Sequence, residues 1–142
     1  MGFEHPAAGP PAPVRKITRL AEEPSSPVAQ VTGHPHDEGE DCALIARHIN
    51  GATEFLVGVY RMASNQLHPR HIHTRGAEFY YVVEGSCLVT VDDDEIEATA
   101  GTAVYLPEGT VHAVRTRRDE SVTILYAFDE GDANDIATTW LE

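Results

Sequence analysis

At 142 residues the chain has the length of one domain with a real core, and a hydrophobic content of 42% suits a soluble globular protein. The formal charge of −13 opposes contact with a nucleic-acid backbone or an anionic membrane, and no apolar run approaches the length of a membrane span. Met1 to Pro13 lacks the basic start and apolar stretch of a secretory signal, so a cytoplasmic location is the default expectation.

Residues 1–27 are rich in Pro and Ala. Pro6, Pro10, Pro11, Pro13, Pro24 and Pro27 exclude a continuous helix or a central strand. The segment reads as a flexible or extended N-terminal arm, with residues 28–142 as the folded domain. Val14 to Leu20 are candidates for an added edge strand or for a stretch lying across a partner subunit; a disordered leader is the alternative. Residues 33–41 form a polar loop in which His34 and His36 flank Pro35 among acidic residues, and a solvated loop explains them better than a metal pair.

From Cys42 onward Val, Ile, Thr, Tyr and Phe recur in short runs, as strands prefer. The predicted strands are 42–48, 54–62, 66–73, 77–84, 86–92, 95–99, 102–106, 111–116 and 122–128. Turn residues separate them, among them Asn50-Gly51, Arg75-Gly76, Glu84-Gly85 and Pro107-Glu108-Gly109. Many short strands at near-regular spacing predict an all-β sandwich or barrel. One helical turn is expected within 132–140. Cys87, in an alternating apolar strand, reads as a buried free thiol, and two cysteines make no disulfide framework.

His71 and His73 are two apart on a predicted strand, so their side chains project from one face. Gly76 turns the chain and Glu78 returns on the next strand. Tyr80 has the parity of Glu78 and should share its interior. His112 follows a Pro107-x-Gly109 turn. Three imidazoles and a carboxylate can hold one divalent transition metal: Fe, Mn, Ni, Cu or Zn. His68, three residues before His71, has the opposite parity and should point away from the metal. Tyr60, Tyr80, Tyr105 and Tyr126 are candidate pocket residues, whereas Phe55, Leu56 and Met62 read as core. Surface ion pairing is the expected role of Arg61, Arg70 and Arg115.

The two segments Asn65-x5-His71-x-His73-x4-Glu78-x6-Gly85 and Gly101-x5-Pro107-x-Gly109-x2-His112-x3-Thr116 resemble the two motifs of the cupin superfamily, over roughly residues 40–130. Asn65 replaces the first glycine and Thr116 the final asparagine, and neither is a ligand position. Asn tolerates left-handed backbone, so the turn at Asn65 can survive. The resemblance implies a double-stranded β-helix (jelly-roll) barrel with His71, His73, Glu78 and His112 as metal ligands. It implies an enzyme acting on a small-molecule substrate, with homodimerisation common.

The first functional expectation is a dioxygenase acting on a small chelating substrate at the three-His, one-Glu site. The alternatives are a non-oxidative lyase, decarboxylase or isomerase with Tyr80 as base, or a non-catalytic small-molecule-binding module.

Overall fold

The computed structural model describes residues 15–142, so Val14 and the start of the arm lie outside the described residues. In chain order the elements are β1 (Ser26–Pro27), α1 (Val28–Thr32), β2 (Glu40–Ile45), α2 (Arg47–Asn50), β3 (Leu56–Met62), β4 (Leu67–His73), β5 (Glu78–Val91), β6 (Asp94–Thr99), β7 (Ala103–Leu106), β8 (His112–Arg115), β9 (Val122–Phe128), a 3-10 turn (Ala133–Asp135) and β10 (Thr138–Trp140). All pairings are antiparallel. One sheet runs β1-β2-β3-β9-β5-β7 and the other β10-β4-β8-β5-β6. The two curl around a shared interior as a cupin-like jelly roll.

The alternation read from the sequence builds this interior. Along β9, Val122, Ile124, Tyr126 and Phe128 are buried while the residues between them are half-exposed. Leu56, Val82, Val89, Val104, Leu106 and Val114 complete the core from the other strands. Each fully buried aliphatic or aromatic side chain contributes roughly 1.5–3 kcal/mol by leaving water.

Three expectations about elements are corrected. Glu84-Gly85 is no turn between two strands: β5 runs unbroken for 14 residues and passes from one sheet to the other. Gly85 makes the bend, with φ of +82°, and a Cβ there would lie 1.9 Å from the Ser121 carbonyl oxygen. The strand expected over 42–48 ends at Ile45, because the Asn50 side chain accepts from the Ala46 N–H and draws the chain into α2. The 132–140 segment holds a helical turn, capped by Asp132 on the Asn134 N–H, but then extends into β10 against β4.

The arm forms no strand over 15–19. It lies along β2 instead, where the Thr18 hydroxyl donates to the Leu44 carbonyl and Arg15 pairs with Glu23 at 3.0 Å. α1, which was not expected, follows directly and ends at Gly33 in left-handed geometry. Asn65 also adopts left-handed backbone, φ +56°, as its substitution for glycine requires. Thr116 secures that same turn: its Oγ1 accepts from the Gln66 N–H at 3.0 Å and its hydroxyl donates to the Ala63 carbonyl.

Candidate metal centre

β4 and β8 lie side by side with His71 opposite His112. His73 follows two residues on, and β5 opens with Glu78. The ligand nitrogens of His71, His73 and His112 come within 4.8 Å of one another. Glu78 Oε1 stands 3.3 Å from both His73 Nε2 and His112 Nε2. All four side chains are buried.

The second ring nitrogens are already committed. His71 Nδ1 donates to the Pro69 carbonyl at 2.7 Å and His112 Nδ1 to the Thr110 carbonyl at 3.0 Å. His73 Nδ1 meets the Thr138 hydroxyl at 3.0 Å. A carbonyl oxygen can only accept, so His71 and His112 carry the proton on Nδ1 and present bare lone pairs at Nε2. Such outer partners orient metal-binding histidines.

Burial holds His71 well below the ordinary histidine range, assisted by the neighbouring His68, His112 and His73. Burial likewise lowers His73, against the pull of Glu78. Burial raises the Glu78 carboxyl, but the facing His112 and His73 more than offset it, and the net position is below the usual value. Burial thus favours the neutral form of His71 and His73, beside a Glu78 that favours the carboxylate.

His112 Nε2 and Glu78 Oε1 make no hydrogen bond. Both are acceptors, and 3.3 Å apart they face each other unsatisfied in the interior. A cation between them resolves that conflict. Donors bound at about 2.1 Å and at right angles stand about 3 Å apart, close to this spacing. The donor set therefore fits a single divalent transition metal, with His71, His73, Glu78 and His112 holding it.

A cavity of about 30 Å³ adjoins Glu78, bordered by Asp41, Tyr60, His68, Tyr80 and Tyr126 and closed by Val28, Leu56 and Phe128. It has room for about two waters or the head of a small ligand. Tyr80 lines it as its parity predicts. Burial, with Glu78 beside it, pushes the Tyr80 phenol well above its ordinary value, so in the field of the protein groups alone it keeps its proton.

His68 is the main departure. It is 6% exposed, inside the barrel, with its ring 4.6 Å from that of His71. His68 pairs with Val114 and His71 with His112, three steps along β4 against two along β8. The extra residue is a β-bulge at Pro69-Arg70, where proline has no N–H to give the ladder, and it restores His68 to the interior face. Its Nδ1 bonds Asp37 Oδ1 at 2.6 Å, and Asp37 Oδ2 accepts from the Thr32 hydroxyl. Burial lowers the His68 pKa, but Asp37 outweighs it and the net shift is upward. The acidic loop is thus only partly solvated, since Asp37 is 4% exposed.

Other assignments divide. Tyr60 and Tyr126 face inward, but Tyr105 is 70% exposed on the outer face. Leu56 and Met62 are core, whereas Phe55 is an exposed aromatic. Arg115 pairs with Glu95 and Arg70 with Glu142 at the surface. Both cysteines are free and buried, and burial pushes the Cys87 thiol up to about 12. His34 leans on Trp140 and its Nε2 lies 2.8 Å from the Glu142 carbonyl, away from the ligand cluster. Sequence reasoning missed Asp37 and Asp41; their partners are 31 and 85 residues away, and no local pattern links them.

Among relatives, the chain is 24% identical over 88 residues to the tetracenomycin polyketide synthase protein TcmJ of Streptomyces glaucescens, covering 62% of this chain and 59% of that protein. It spans less than two thirds of the curated relatives it matches. The fold is shared with the polyketide cyclase RemF of Streptomyces resistomycificus, at a TM-score of 0.70 and 18% identity over 91% of this chain and 88% of that one. It is shared too with oxalate decarboxylase OxdC of Bacillus subtilis, at 0.66 and 18%, over 91% of this chain and 34% of that one. The cupin domain family matches residues 58–128, half of the chain. That span holds all four ligands and the strands that carry them, and the chain belongs to the cupin family.

Proposed function

We propose that this chain is a metal-dependent enzyme performing non-oxidative chemistry, of the lyase, decarboxylase or isomerase class, on a small chelating substrate. The observation that carries this reading is the cavity beside Glu78, whose walls are groups that hold or accept protons: Asp41, His68, Tyr80 and Tyr126. Breaking or moving bonds beside a carbonyl needs such groups placed around the reacting atoms. Held by His71, His73, Glu78 and His112, a divalent ion would supply Lewis-acid polarisation of a substrate carbonyl or carboxylate. RemF is a polyketide cyclase and OxdC an oxalate decarboxylase, which accords with this class. Tyr80, two residues beyond Glu78 on β5, is the residue that hands over or takes up the proton, and the apolar wall of Val28, Leu56 and Phe128 keeps bulk water away.

Turnover of chelating carbonyl compounds should persist without dioxygen. Tyr80→Phe should lower kcat by about 10²–10⁴-fold with bound metal unchanged. Strict dependence on dioxygen, with uptake matching product, would sink this reading and restore the dioxygenase expected from the sequence. Tight binding with no turnover of any probe would favour a non-catalytic module.

Homodimer formation belongs to the same proposal. The outer face of β5 and β7 carries Phe79, Tyr81, Val83 and Tyr105, all more than 40% exposed. On a chain of charge −13, a face with so few charges is where a second copy meets least repulsion.

A further inference from the structure

Asp41 stands outside the ligand set, yet it is only 7% exposed. Its Oδ1 accepts a hydrogen bond from the Tyr126 hydroxyl at 2.6 Å. Space for that hydroxyl depends on Gly58, where a Cβ would lie 2.4 Å from the Tyr126 hydroxyl oxygen and 2.9 Å from the Cys42 carbonyl oxygen. Glycine inside a strand weakens it, and a buried carboxyl weakens a fold. Two destabilising choices thus converge on one polar pair, the pattern of a site kept for a purpose other than stability.

Asp41 also has two sides. With Val31 it borders the interior cavity, and the same two residues border a groove of about 470 Å³ beneath the arm. Pro24, Ser26, Gln30 and Ile49 form other parts of that groove. Its volume suits the body of a small organic molecule, whereas the interior admits only a few atoms. Among the described residues Arg15 at the groove is tied to Glu23, and burial lowers the pKa of His48 there, so the inner end is governed by the Asp41 carboxyl.

We propose that this groove is the inlet to the metal site and that Asp41, held by Tyr126, is its selectivity group, accepting a hydrogen bond from a hydroxyl on an uncharged, carbonyl-chelating ligand. The carbonyl head rests on the function proposed above; the inlet and the hydroxyl preference rest on the groove and on Asp41. A carboxylate offers about four lone-pair sites, and Tyr126 occupies one, leaving others for the ligand. The same charge disfavours carboxylate-bearing ligands, which within the class proposed above favours lyase or isomerase chemistry on a carbonyl over decarboxylation.

The test is calorimetric titration of the zinc-loaded protein with 1-phenylbutane-1,3-dione and with its 3-hydroxyphenyl analogue. The hydroxylated probe should bind about tenfold more tightly, as expected for a hydrogen bond to a charged acceptor. Asp41→Asn, which preserves shape, should reduce that preference to about threefold or less. Gln30→Trp, at an exposed position on α1, should obstruct the groove and weaken both probes, with zinc content unchanged in both variants. A preference that survives Asp41→Asn overturns the selectivity role. Full affinity in Gln30→Trp overturns the inlet and points to the outer cleft by Phe79 and Tyr105, which also touches Glu78 and Phe128. Zinc-loaded protein that binds neither probe overturns both. A finding that turnover requires dioxygen would sink the preceding reading and leave these affinities standing.

Discussion

Asp41 shows what a single buried carboxyl does to stability. Burial pushes its pKa up to about 6 from 3.8, against the Tyr126 hydrogen bond that lowers it. The folded chain therefore holds this proton more tightly than the unfolded chain. The associated stability is fully present below about pH 4 and is lost as pH rises through about 6. A difference of roughly two pKa units corresponds to at most about 3 kcal/mol. Asp41→Asn should accordingly be more stable than the parent at pH 7, with the gap closing toward pH 4, as urea denaturation across that range would show; equal stability at pH 7 would contradict it. The four ligands were legible because motif spacing and strand parity are local. Asp41 and Tyr126 were not, because only the fold brings together residues 85 apart. His68 was placed on the wrong face for a more instructive reason: a bulge resets parity, and Pro69 was the signal of it in the sequence.

Among the elements, the strand pattern and the order of turns were readable from residue 54 onward because propensity and burial agree there. The exceptions lie where backbone geometry overrides composition. Gly85 looks like a turn glycine, yet the Ser86 N–H bonds the Ser121 carbonyl at 3.0 Å and the ladder continues through the bend. Gly85→Ala would place a Cβ 1.9 Å from that carbonyl oxygen at a φ of +82°. It should cost about 3 kcal/mol or more from strain and overpacking combined. Thermal unfolding checks this, and a melting point near the parent's would show that the crossing can move aside. α1 escaped notice because five residues beside two prolines carry no helical period.

For the whole molecule, charge and exposure decide how copies behave. Tyr105 is 70% exposed and makes a safe position for introducing a charge. Tyr105→Glu should halve the mass seen by light scattering, with the fold unchanged by circular dichroism. An unaltered mass would move the pairing surface elsewhere or leave the chain monomeric. Within one copy, β5 binds the two sheets into a single body, since Glu78 opens it and Val91, at its far end, pairs with His112. The four donors are therefore spaced by ladders rather than by loops. Separating Glu78 from His112 means peeling a strand shared by both sheets, so the four donors should disperse together, in the same cooperative event that unfolds the barrel.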